Sequence, residues 1–155
     1  MYVKTRRKNG YRRNGFTLIE ILVVIGIIAI LASVVLIAVN PARQFASARN
    51  SQRQSNVLAI LNAIDQDIVD NSGTFQCTGG IIPATSTRMS SSGYNIRNCI
   101  IPSYISEIPF DPQTGSISSQ AVWDTGYAIS QNASTSRITI SAPSAELGQT
   151  ISVSR

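Results

Sequence analysis

The sequence predicts an α+β fold: a long N-terminal α-helix, membrane-spanning in its first half and amphipathic in its second, packed on a small C-terminal antiparallel β-sheet. Three observations carry this expectation. Residues 21–39 hold no charged side chain, and these 19 residues would span about 28 Å as a helix at roughly 1.5 Å each, close to the ~30 Å hydrocarbon core of a bilayer. Val57, Leu61, Ile64 and Ile68 recur at i, i+4, i+7 and i+11, a spacing that lines one helix face. The last third of the chain alternates apolar and polar residues over 127–130, 137–141 and 150–154, as half-buried strands do.

The chain opens on a basic segment. Every charge in residues 1–15 is positive: Lys4, Arg6, Arg7, Lys8, Arg12 and Arg13. The positive-inside bias places this segment in the cytoplasm and everything after Val39 on the far side of the membrane. Glu20 is the one carboxylate at the start of the apolar run. A carboxylate costs about 2.5 to 3.5 kcal/mol at the centre of a membrane helix and less near the interface, so it marks a partner, and Glu20 calls for a cation.

The segment Gly15-Phe16-Thr17-Leu18-Ile19-Glu20, followed by Ile21-Leu22-Val23-Val24-Ile25, resembles the class III signal sequence of type IV pilins and type II secretion pseudopilins. The resemblance covers about the first quarter of the chain. It implies that a membrane-embedded prepilin peptidase cuts between Gly15 and Phe16 on the cytoplasmic side and methylates the new amine of Phe16. It also implies that Glu20 pairs with the Phe16 amine of a neighbouring subunit during assembly. A pair within one subunit would neutralise the charge without driving lateral association. A conventional secretory signal fits less well, because the candidate sites near Ala32, Ala38 and Ala42 lack a small residue two positions earlier. An uncut signal anchor explains the leader and the span but gives no reason for Glu20.

The expected organisation is a cleaved basic leader (1–15), a transmembrane and filament-core helix (16–39), a stem and amphipathic helix (40–73) and an exported globular β domain (74–155). The full chain has 13 Lys and Arg against 8 Asp and Glu, a net charge of +5 with pI near 9.7. Six of the basic residues lie in the leader, so after cleavage seven Arg face eight acids. The basic balance belongs to the leader, which argues against nucleic acid as a partner.

Asn40-Pro41 interrupts the apolar run, and proline there should bend or loosen the helix. Many members of the resembling family carry a helix-breaking proline a few residues earlier, where this chain has Ile37. Residues 46–55 are polar with small side chains, which suits an exposed stem. Basic residues (Arg43, Arg49, Arg53) fall in the first half of this second helical segment and acidic ones (Asp65, Asp67, Asp70) in the second. That segregation raises the expectation that axially staggered neighbours pair them, with solvation of all six as the alternative. The helix should end near Asn71-Ser72-Gly73.

Residues 74–106 read as a long connection holding a short strand around 94–101. The expected aromatic core anchors are Phe75, Tyr94, Tyr104, Phe110, Trp123 and Tyr127. The two cysteines, Cys77 and Cys99, both lie beyond the span and are expected to be bonded in an oxidising compartment, closing a loop of about 23 residues worth roughly 3 kcal/mol in the chain-entropy model. Zinc is disfavoured, since two thiols without any His leave a site short of ligands.

An enzyme is not expected. The chain has no His, the commonest general base, and no Gly-rich phosphate loop. Asp111 and Asp124 flank a turn-rich segment and are calcium candidates on irregular oxygen-ligand spacing, a pattern that ordinary solvated carboxylates share. Asn132-Ala133-Ser134 matches an N-glycosylation acceptor, a match that in a chain with a bacterial- or archaeal-type leader is more often chance. The resulting expectation is a structural subunit of a type IV pilus-like filament, without cofactor or small-molecule substrate. Its partners would be further copies of itself in a helical filament, the membrane, prepilin peptidase, and an assembly platform protein with its ATPase machinery. The precursor would be a single-pass protein of the inner or cytoplasmic membrane, and the assembled filament would stand at the cell surface or in the periplasm. The alternatives are a pseudopilin of a type II secretion system and a minor pilin acting as an adhesive or DNA-uptake binding protein.

Overall fold

The computed structural model of the chain describes residues 15–38 and 40–155; the expectations for residues 1–14 and for Val39 lie outside them. The chain divides into two units, the first ending at Pro41 and the second running Ala42–Arg155.

In the first unit Thr17 precedes helix α1 (Leu18–Ala38). The Thr17 hydroxyl accepts the Glu20 backbone N–H at 3.2 Å, the Glu20 carboxylate accepts the Thr17 N–H at 3.5 Å, and the Thr17 carbonyl accepts the first intrahelical bond, from Ile21. This is a capping box, which satisfies donors that a helix start otherwise leaves orphaned. Residues 15–36 are all exposed, and Leu18–Leu36 is long and apolar enough to cross a membrane. An apolar helix exposed at every described side chain has a surface suited to lipid or to other protein.

Helix α2 (Pro41–Asp70) leads into the second unit, with Pro41 at the first helical position, where its missing N–H would have no intrahelical acceptor. The interruption expected at Asn40-Pro41 is therefore one helix stopping at Ala38 and another starting at Pro41. At the far end Ser72 (φ 57°) takes the left-handed conformation, and the Gly73 N–H reaches back to the Ile68 carbonyl at 2.7 Å, closing the helix where the sequence predicts.

Five strands form one sheet: β1 (Thr87–Ser90), β2 (Ser116–Ile117), β3 (Trp123–Gln131), β4 (Ile138–Ala142) and β5 (Ile151–Ser154). All pairings are antiparallel in the order β1-β3-β4-β5, with β2 alongside the start of β3 through Ile117 opposite Trp123. β4 and β5 follow the expected alternation, whereas β3 departs from it, being buried without interruption over 125–129. Trp123, Thr125, Tyr127 and Ile129 are buried along β3, and Ile138, Ile140 and Ala142 along β4. Val57, Ile60, Leu61 and Ile64 of α2 share one core with Met89, Tyr127, Ile129 and Ile140 of the sheet. The fold class is thus the α+β arrangement expected.

Three expectations change. The strand proposed around 94–101 is a single helical turn, α3 (Arg97–Ile100), and the strand of this region is β1, upstream. Cys99 sits in that turn and is bonded to Cys77, with Ile96 and Ile100 beside it reaching the core. Phe110 is 44% exposed and does not anchor the core, whereas Tyr94, Trp123 and Tyr127 are buried and Phe75 and Tyr104 pack on its margin. Residues 46–55 are not a wholly exposed stem: Ala46, Asn50 and Arg53 are buried, continuing backwards the 3–4 spacing of Val57, Ile60 and Ile64.

Candidate functional site

Ahead of α1, no described residue beyond its chain neighbour comes within 4 Å of where a Cβ on Gly15 would stand, and Phe16 is 79% exposed. Neither belongs to α1, which starts two residues after Phe16. Gly15, Phe16 and Thr17 thus lie outside regular structure, next to a capped helix. Glu20 is at the third helical position, held toward the Thr17 N–H. The sequence pattern Thr-x-x-Glu before an apolar run carries this capping role directly, a role beyond the cation partner expected of Glu20.

The second unit carries a polar centre where α2 faces two loops. Arg53, whose side chain is fully buried, donates through Nε to Asp111 Oδ2 at 2.6 Å, through Nη1 to Glu146 Oε2 at 2.8 Å and Asn50 Oδ1 at 2.9 Å, and through Nη2 to Gln113 Oε1 at 2.7 Å. Arg49 adds two parallel bonds to Glu146, at 2.7 and 2.6 Å, and the Asn50 side chain joins the backbone of Glu146 as both donor and acceptor. Asn56 donates to the Phe110 carbonyl and to the Tyr127 hydroxyl. Every hydrogen-bonding nitrogen of the buried guanidinium is thereby satisfied, which a buried charge requires.

The carboxylates respond as their surroundings dictate. Burial pushes Asp111 up, but Arg53 and the backbone N–H groups of Gln113 and Thr114 outweigh it and hold the group below the usual carboxylate range. Hydrogen bonds from Arg49 and then Arg53 bring Glu146 down to about 2. Gly126 (φ 78°) lets the sheet approach, since a Cβ there would stand 2.6 Å from that of Asp111.

Asp111 and Asp124, the calcium candidates, instead accept arginines: Asp111 takes Arg53, and Asp124 takes Arg88 Nε at 2.7 and 2.8 Å on its two oxygens. Among the described residues no group of three or more His, Cys, Asp or Glu is placed to hold a metal. The acid and base zones of α2 also find partners within the chain. Arg49 and Arg53 bind Glu146, Asp65 pairs with Arg155, and buried Asp67 accepts the Gln76 N–H. For these four residues the chain itself supplies partners, in place of the neighbours that the staggered pairing would use. Arg53 was legible in one respect only: it falls on the buried stripe of α2, four residues before Val57.

Comparison with known proteins locates the functional signal at the N-terminus. No curated protein and no solved structure matches the chain. Residues 10–36 match the family model of the prokaryotic N-terminal methylation motif. The match takes in the end of the basic segment, Gly15, Phe16, the Thr17–Glu20 cap and most of α1, and it supports the chain's place in the type IV pilin and pseudopilin family.

Proposed function

We propose that the chain is the precursor of a structural subunit of a type IV pilus-like filament. Prepilin peptidase cuts between Gly15 and Phe16 and methylates the Phe16 amine; α1 then leaves the bilayer to form the filament core, and residues 42–155 coat its outside. The observation that carries this reading is the methylation motif running into an apolar helix that is exposed at its described side chains, 18–36. The same apolar surface suits lipid before assembly and neighbouring helices afterwards, since packing between helices replaces contact with lipid tails. The bonded Cys77 and Cys99 fit an exported unit.

Co-expression with a prepilin peptidase tests the processing step. Mass analysis should find a chain beginning at a methylated Phe16. A chain beginning beyond Val39 would point to ordinary signal peptidase, and an intact Met1 would leave a simple membrane anchor. The abundance of the chain in sheared surface fibres then separates a pilus subunit from a pseudopilin or a tip protein.

A further inference from the structure

We propose that Asn132, at the tip of the β3–β4 hairpin, is the attachment site of an N-linked glycan. The inference rests on the export reading, because the sugar donor must meet residues 42–155 outside the cytoplasm. Asn132-Ala133-Ser134 is an acceptor pattern, and Asn132 alone among the asparagines of the chain has Ser or Thr two positions later.

The structure gives that pattern an accessible setting. Residues 132–137 are all exposed, in contrast to Asn50 and Asn56, which are buried. The turn is closed by backbone bonds from Asn132 N to Arg137 O at 2.9 Å and from Ser136 N to Asn132 O at 2.8 Å, so the tip projects from a hydrogen-bonded hairpin. Within it the side-chain oxygen of Asn132 accepts the N–H groups of Ser134 (2.9 Å) and Thr135 (3.0 Å). These bonds fix the amide with Oδ1 toward the turn and leave Nδ2, the atom that must react, without a hydrogen-bond partner among the described residues. The Ser134 hydroxyl is likewise unengaged there. An adjoining cavity of about 230 Å³ is lined by Ile81, Pro83, Asn132 and Ala133, and Ile81 is 90% exposed. A glycan on Asn132 has room to lie over that apolar side chain.

The step balances without redox chemistry. Nδ2 attacks the anomeric carbon of an oligosaccharide carried on a lipid pyrophosphate; the carbon–nitrogen bond forms as the carbon–oxygen bond to phosphate breaks. The lipid pyrophosphate leaves with the electron pair, and one amide proton passes to the base of the transferase.

The test is glycopeptide and intact-mass analysis of the full chain purified from the cells that produce it, with the state of Cys77 and Cys99 read by thiol alkylation in the same sample. Whole sugar residues should appear on Asn132, vanish in Asn132→Gln and Ser134→Ala, and persist in Ser134→Thr. Those substitutions lie on an exposed tip, so the variants should fold. A bare Asn132 in chains whose Cys77–Cys99 bond has formed overturns the glycan and leaves export standing. Bare Asn132 with free thiols overturns the export reading and the glycan with it. Sugar found only on Ser or Thr side chains also overturns the assignment.

Discussion

Asp111→Asn should be among the most damaging single substitutions in the second unit, although it alters no shape. Arg53 has a side chain with no solvent exposure, and its Nε points at Asp111 Oδ2 from 2.6 Å. Removing one partner of a buried pair typically costs about 3 to 5 kcal/mol, because the other charge stays buried without compensation. Glu146, 2.8 Å from Nη1, keeps part of that compensation in place, which argues for the low end, about 3 kcal/mol. The new amide can still accept the Gln113 and Thr114 N–H groups, so the loss reports the ion pair and not the turn. Arg53→Met should be similarly destabilising, and the double variant should cost less than the sum by on the order of 1 to 3 kcal/mol, since it removes both charges together. Urea unfolding of the full chain in detergent, followed by fluorescence of Trp123, measures all three; Trp123 is the sole tryptophan and is 2% exposed in the core. A cost below about 1 kcal/mol for Asp111→Asn, or strict additivity in the double variant, would sink the argument that this buried pair holds α2 to its loops.

Acid should loosen the same centre. Folded Glu146 titrates at about 2 and Asp111 below its ordinary range, so their stabilisation is complete above about pH 4.5 and is lost as pH falls toward 2. The Trp123 unfolding midpoint should drop across that window, and Glu146→Gln should flatten the drop. At the N-terminus, Glu20→Gln separates two roles. Gln keeps the capping geometry and removes the charge, so lost fibre yield with intact cleavage supports pairing with a neighbouring Phe16 amine, while normal fibres leave Glu20 with the cap alone. Because no described residue beyond its chain neighbour approaches a Cβ at Gly15, Gly15→Val should leave stability unchanged and block processing, with Gly15→Ala cut better; equal cutting of both by N-terminal mass analysis would remove steric access as the reason. Replacing Cys77 and Cys99 by Ser should lower stability by about 3 kcal/mol on the chain-entropy estimate, read by the same urea titration.

What the sequence alone determined is whatever depends on neighbours in the chain. The uncharged run became α1, the i, i+4, i+7 pattern of Val57, Leu61 and Ile64 became the buried face of α2, and period-two alternation became β3, β4 and β5. Asn71-Ser72-Gly73 stopped the helix, and the join around Gly15 carried the family signal. These features rest on local geometry and on the transfer of apolar surface from water, both written in consecutive residues. Tertiary structure decided where the polar groups go. Arg53 meets Asp111 across 58 positions and Glu146 across 93, and its burial is tolerable only because those acceptors arrive from distant loops. Its place four residues before Val57 sets it on the buried stripe, but nothing local supplies its acceptors. In the same way Cys99 entered a one-turn helix instead of a strand, because Ile96 and Ile100 on either side reach the core while Cys99 meets Cys77. The short strands β1 and β2 exist because β3 offers both its edges, a choice made by partners remote in the chain and not by the residues of β1 and β2 themselves.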